Sequence, residues 1–233
     1  VSDGQSISVN FSREMPLFPL DAVVLLPQQV LPLHIFEPRY CQMINRCLDG
    51  SGQLAVAVVR DGVADLSGNP PLKPAVCVAQ IVQHESLPDG RYNILLQGVC
   101  RARIVREEPP SQDRLYRCAL LEPIGEPNPE SEHLYGLREW LEAELSEGPL
   151  HHFAVAEHVV EYVRNEEVPN SAVLELVSFA LLTDPALRYR LLAEGDLDQR
   201  AFLVRSELQE LARLISLAEH QRPEMWPKGC SWN

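Results

Sequence analysis

Apolar positions along this 233-residue chain follow two different periods. From Pro16 to Glu122 they form short runs of Val, Ile, Leu and Tyr between turn signals, at 22–26, 30–36, 54–59, 75–84, 91–106 and 116–122. Such runs predict β-strands. Within Arg91–Gln97, Tyr92, Ile94 and Leu96 alternate with Arg91, Asn93 and Gln97, the period of a half-buried strand, and Leu95 on the polar side calls for a covering element. The clearest hairpin runs from AVCVAQIVQH through ESLPDG to RYNILLQGV, with Asp89-Gly90 supplying residues that tolerate positive φ. One helix interrupts the strands. Pro38 suits a first helical position, Gly50 suits the end, and Tyr40, Met43, Ile44, Cys47 and Leu48 make one apolar stripe. Residues 61–74 read as a Gly-, Pro- and Asp-rich loop.

After GEPNPE at 125–130 the period becomes helical. Leu134, Leu137, Leu141 and Leu145 mark one helix. Phe153, Val160 and Val163 mark a second, and 171–183 a third. Asp184-Pro185 reads as an N-cap followed by Pro at the first position. Asp196 or Asp198 opens a last long helix with a stripe of Phe202, Leu208, Leu211, Ile215 and Leu214. The expected organisation is a β-rich lobe over 13–124, a helical-bundle lobe over 125–222, and flexible tails at 1–12 and 223–233, an α+β chain.

Charge sharpens this division. The chain carries -13 overall, yet 1–124 holds 11 basic and 13 acidic residues whereas 125–233 holds 9 and 20. The acidity therefore belongs to the helical lobe, where Glu fills solvated helix faces. It argues against general nucleic-acid affinity, which depends on Lys and Arg at phosphates. No apolar run reaches the length of a membrane span, and VSDGQSISVN is no signal peptide, so a cytoplasmic protein without a membrane partner is expected.

Catalytic chemistry is poorly supplied. Lys73 and Lys228 are the only lysines; neither follows a GxxxxG, and neither stands in a buried setting suited to a Ser–Lys dyad. There is no GxSxG and no HExxH. Cys41, Cys47, Cys77, Cys100, Cys118 and Cys230 contain no CxxC and are expected to be reduced, mostly buried thiols. His151 and His158, two helical turns apart, are too distant to share one metal. No cofactor and no metal are expected, and no catalytic residue is assigned; a dispersed Cys–His pair has nothing in its favour.

One stretch is specific. Residues 15–40, MPLFPLDAVVLLPQQVLPLHIFEPRY, resemble the N-terminal substrate-binding domain of Lon-type ATP-dependent proteases. LPDGRYNILLQGVCRARI resembles that family's hairpin, and LLTDPALRYRLLAEGDLDQRAFLVRSELQEL its helical extension, so the resemblance spans about 13–218. It implies a PUA-like pseudo-barrel lobe with one helix, followed by a helical lobe. The chain stops before the family's ATPase and peptidase domains, which resembles the stand-alone Lon-domain proteins of bacteria and implies a non-enzyme.

Within the motif, Pro16, Pro19, Pro27 and Pro32 should fix where strands start, end or kink. Leu17, Phe18, Leu20, Leu33, Ile35 and Phe36 should supply core or groove surface. Glu37 and Pro38 should start the helix, and Arg39 can pair with Glu37 or another acid. The leading expectation is a protein- or peptide-binding module, taking unfolded or hydrophobic segments in an apolar groove or on a strand edge, with a protease or chaperone as a further partner. Its candidate contacts are Phe18, Leu33, Phe36, Tyr40 and Tyr92. The alternative is RNA binding on a basic patch of Arg91, Arg101, Arg103, Arg106, Arg114 and Arg117.

Overall fold

Two prolines sit inside the first strand, and the ladder shows why they are tolerated. The computed structural model describes residues 7–63, 68–126 and 133–220. β1 (Met15–Leu20) runs parallel to β3 (Gln53–Val59) from Leu17↔Ala55 onward, so Pro16 lies before that ladder begins. Leu17 N–H donates to the Arg117 carbonyl on the opposite side of β1 at 2.9 Å. Pro19, two residues on, has the same orientation, and its missing N–H costs no bond to β3.

The remaining strands are β2 (Val30–Ile35), β4 (Leu72–Ser86), β5 (Tyr92–Glu108) and β6 (Cys118–Pro123). Their order is β2-β5-β4-β3-β1-β6, and β6 also pairs with the second half of β5, which closes the sheet into a barrel. β2 lies outside that closure, paired to the first half of β5. Met15 and Leu17 point inward with Ala55, Ala57, Val76, Val78, Ala102 and Ala119. Alanines at facing positions let a barrel this small fill without overpacking. Phe18, of opposite parity, points outward beneath α1 (Pro38–Leu48), which buries Tyr40, Met43, Ile44 and Cys47.

Residues 22–26, expected as a strand, are not one. Val24, Leu25 and Leu26 are buried in an extended loop bounded by Ala22 at φ 55° and Gln28 at φ 65°. This loop is tied to β5 by Gln28 N–H to the Gly98 carbonyl (2.8 Å) and Gly98 N–H to the Gln29 carbonyl (2.9 Å). An apolar run of this length signals burial, and here the burial is that of a loop. The 84–94 hairpin forms as expected, with Gly90 at φ 81°. Of the amino-terminal arm, Val9 and Phe11 pack against the barrel and the Ser8 carbonyl accepts from Gln53 Nε2 at 2.9 Å. Residues 1–6 and 223–233 of the expected tails lie outside the described residues.

The chain divides into two compact units, Val1–Pro127 with Thr183–Asp196, and Asn128–Leu182 with Leu197–Asn233. The helices of the second unit are α2 (His133–Ser146), α3 (Ala156–Arg164), α4 (Asn170–Ala180) and α6 (Leu197–His220), with a short 3-10 turn at Pro149–His152. The spacing-based stripe of α6 is offset. Leu197, Ala201, Val204, Leu208 and Ala212 are buried, whereas Phe202 is 66% exposed and Leu214 lies at the surface. Alanines complete the buried face, and hydrophobicity alone does not mark them. Arg138 of α2 binds the carbonyls of Tyr162, Val163, Asn165 and Val168 and the Oδ1 of Asn170, closing the C-terminal end of α3.

α5 (Pro185–Ala193) belongs with the barrel, although the sequence places it among helical neighbours. Asp184 Oδ1 caps it by accepting from Leu187 N–H at 2.6 Å, with Pro185 in the first turn. Arg101 Nε donates to the Leu191 carbonyl (3.0 Å), and the Tyr189 hydroxyl accepts from Ala75 N–H (2.9 Å).

Candidate functional site

Beyond Pro16, β1 has no ladder partner on the side away from β3 among the described residues. The edge it leaves open, together with β2 and the start of α1, forms a groove of about 170 Å³. Phe18, Pro19, Leu20, Leu33, His34, Ile35, Phe36, Glu37 and Tyr40 line it. Roughly 150 Å³ of apolar space accommodates a benzene ring, so the groove is sized for about one large side chain.

Four of the five candidate contacts meet here. Phe18 forms the floor, 5% exposed, with its ring edge-on to Tyr40 at 4.7 Å and 89°. Leu33 comes from β2. Phe36, between β2 and α1, is 63% exposed, an unusual position for a large aromatic ring. Tyr92, the fifth, is paired with Ile35 across β2–β5 and does not line the groove. Its alternation marks a half-buried strand position, and which strand edge it reaches is set by register.

Three polar features frame the groove. Arg39 Nε and Nη2 both reach Glu37 Oε2, at 3.0 and 2.8 Å, its Nη1 donates to the Gly68 carbonyl, and its guanidinium lies 4.6 Å over the Tyr40 ring. Burial pushes the Tyr40 phenol above its ordinary range, and the neighbouring Arg39 guanidinium opposes that rise. His34 was not singled out by spacing. Its Nδ1 lies 2.8 Å from Asn93 Oδ1, and Asn93 Nδ2 donates to Glu85 Oε2 at 2.8 Å. The latter bond fixes the amide orientation, so Nδ1 is the donor and Nε2 is left to accept from Arg91 Nη1 at 3.4 Å. The His34 ring stacks on Phe36 at 6.2 Å and 23°.

β2 is the free edge of the sheet, but Pro32 lies within it and removes a donor.

The arginine patch of the alternative reading does not form. Arg91 pairs with Asp89, Arg103 with Glu122, Arg106 with Glu108, Arg114 with Glu14 and Arg117 with Glu107. Arg101 is buried against α5. With acids interleaved at each exposed position, no surplus of positive charge faces a phosphate backbone, and the RNA reading lacks support.

The thiols among the described residues show no activating surroundings. Burial pushes Cys47 up to about 12 and Cys100 up to about 11. Among the described residues no group of three or more His, Cys, Asp or Glu gathers as metal ligands, and no helix is long and apolar enough to cross a membrane.

Comparison with known proteins agrees with this architecture. A family described as the ATP-dependent protease La (LON) substrate-binding domain matches residues 14–210. Lon protease 1 of Syntrophobacter fumaroxidans is 27% identical over 161 residues, 69% of this chain and 19% of that protein. Lon protease of Escherichia coli K12 is 31% identical over 91 residues, 39% of this chain and 12% of its own length. The chain thus spans about a fifth or less of these curated relatives. Among solved structures, a Lon N-terminal domain protein from Xanthomonas campestris aligns with a TM-score of 0.59 at 22% identity, covering 83% of this chain and 98% of that one. The N-terminal domain of the Mycobacterium avium complex Lon protease aligns with a TM-score of 0.62 at 16% identity, covering 82% and 96%.

Proposed function

The chain belongs to the ATP-dependent protease La (LON) substrate-binding domain family, and from that premise we propose that it is a recognition module that binds unfolded or hydrophobic polypeptide segments in the β1–β2–α1 groove. The matched domain is the non-catalytic part of its relatives. The observation that carries the reading is the convergence of Phe18, Leu33, Phe36 and Tyr40 on one open groove. Phe36 gains most from a ligand. Left 63% exposed, it has much of its ring area still to bury. Work in the cytoplasm, and delivery of the bound segment to a protease or chaperone, extend the same reading.

Fluorescence anisotropy with a labelled, permanently unfolded polypeptide tests it. Phe36→Ala and Leu33→Ser should each weaken binding about fivefold, the equivalent of roughly 1 kcal/mol of lost apolar burial. Phe36→Ala should leave the far-UV circular dichroism and melting temperature unchanged. Absence of saturable binding, or binding indifferent to both substitutions, would refute the proposal.

A further inference from the structure

A second, polar recess adjoins the groove along the same open edge of β1. Leu17, Pro19, Arg39, Tyr40, Tyr116 and Arg117 are among its lining, and its free space is about 10 Å³, room for about one oxygen atom. Pro19 and Tyr40 are common to recess and groove. The recess opens where β1 parts from the Arg117 segment, just past the bond from Leu17 N–H to the Arg117 carbonyl.

Arg117 is the unusual member. Its side chain is 8% exposed, and Nη1 donates to Glu107 Oε2 at 3.0 Å. Nη2 is buried and has no hydrogen-bond partner among the described residues. A buried guanidinium N–H left open favours an anionic acceptor over a neutral one, because the attraction between opposite charges adds to the hydrogen bond and is strong where water is excluded. Arg39, by contrast, is already engaged at all three nitrogens.

We propose that the site takes an extended polypeptide segment in which an acidic side chain stands two residues from a large apolar one. The apolar side chain fills the groove, and one carboxylate oxygen meets Arg117 Nη2 in the recess. Pro19 and Tyr40 line both spaces, so the two side chains must stand close together along the segment, and positions two apart on an extended segment return to the same face roughly 6.6 Å on. The inference rests on the polypeptide-binding reading above and adds a charge requirement to it.

The test uses the intact protein and four end-blocked, fluorescein-labelled peptides on a Gly-Ser background. They carry Asp-Ser-Phe, Asn-Ser-Phe, Asp-Ser-Ser and Phe-Ser-Asp. The better of the two Asp/Phe orders should bind about tenfold tighter than the Asn peptide. Arg117→Lys keeps the charge and loses Nη2, so it should shrink that ratio to about twofold or less while leaving the Phe-to-Ser loss intact. Should Arg117→Lys fail to fold, the Asp/Asn comparison on the unaltered protein still decides the matter. Equal binding of Asp and Asn peptides, with Phe still required, would overturn this inference alone. No preference for Phe over Ser would overturn the groove reading itself. A fifth peptide ends in Phe with a free carboxylate; if only that one binds, the site reads a chain end and the internal-acid proposal falls.

Discussion

Tyr189→Phe removes a single oxygen atom, yet it should loosen the barrel. Val59 pairs with Leu72 and Ala57 with Val76, so residues 73–75 of β4 lie opposite Val58 alone, in a shift of register. The β3 side of the ladder therefore leaves Ala75 N–H without a strand partner, and Ala75 is 2% exposed. The Tyr189 hydroxyl, 114 positions later in sequence, accepts that N–H at 2.9 Å. Phenylalanine would keep the ring packed and orphan the amide. An unsatisfied buried amide costs about 1–3 kcal/mol. For a chain of this length that is a drop in melting temperature of roughly 2–12 °C.

Two compact units need not unfold together, so a global melt is a blunt readout. Hydrogen–deuterium exchange across 72–80 reads the site directly. The Ala75 amide should be protected in the parent and exchange at least tenfold faster in Tyr189→Phe, with α3 and α4 peptides unchanged. Lys73→Met is the control, since it removes the cation over the Tyr189 ring and the pair with the exposed Asp61 but leaves the hydroxyl bond. It should cost less than about 1 kcal/mol. If the Ala75 amide stays protected in Tyr189→Phe, the account of α5 as the acceptor for the register shift is wrong.

Gly98→Ala should cost about 3 kcal/mol or abolish soluble expression, because a Cβ there would lie 2.1 Å from the Leu26 carbonyl oxygen, which is backbone and cannot swing aside; urea melts would show it, and a loss under about 1 kcal/mol would mean that the 22–29 loop is free to move. Arg138→Ala should destabilise the helical unit by roughly 3–5 kcal/mol through loss of its charged hydrogen bonds, and Arg138→Lys should recover less than half, since an ammonium cannot span four carbonyls; denaturation followed by circular dichroism checks both. Stability should also fall above about pH 9. The Cys47 thiol, held up near 12 by burial, keeps its proton in the folded state while the unfolded thiol loses it near its ordinary value of 9. The contribution is therefore intact below about pH 9 and is lost at about 1.4 kcal/mol per pH unit as pH rises toward 12. Cys47→Ala should flatten that limb of the stability–pH curve, and iodoacetamide at pH 8 should leave Cys47 unmodified in the native protein.

The alternation of 91–97, the Asp89-Gly90 turn, the Pro38 start of α1 and the Asp184-Pro185 cap were all legible because each is a local device. Its signal and its effect lie within a few residues. β1 was not legible as a strand, since two prolines in six residues argue against one unless the orientation of each N–H relative to its neighbours is known. The 22–26 run misled for the opposite reason. Its apolar residues are buried as expected, but periodicity reports burial and not which backbone geometry achieves it. The groove was partly legible. Phe18, Leu33, Phe36 and Tyr40 stood out as large apolar residues in one motif, while Tyr92 met the same criterion and lies elsewhere.

The sequence by itself determined the class of the chain. It set a β-rich half, a helical half, the segregation of acidic charge into the second, the positions of turns and caps, and the family motif between 15 and 40. Tertiary structure alone decided which open edge of the barrel those motif residues share, that Arg91, Arg103, Arg106, Arg114 and Arg117 each pair with an acid, and that α5 returns to the barrel after an excursion through the other unit. The physical reason is range. Propensity and capping act over one turn or one strand, whereas a groove, a charge pair or an amide rescued by Tyr189 depends on groups that closure of the sheet brings together from dozens of residues away.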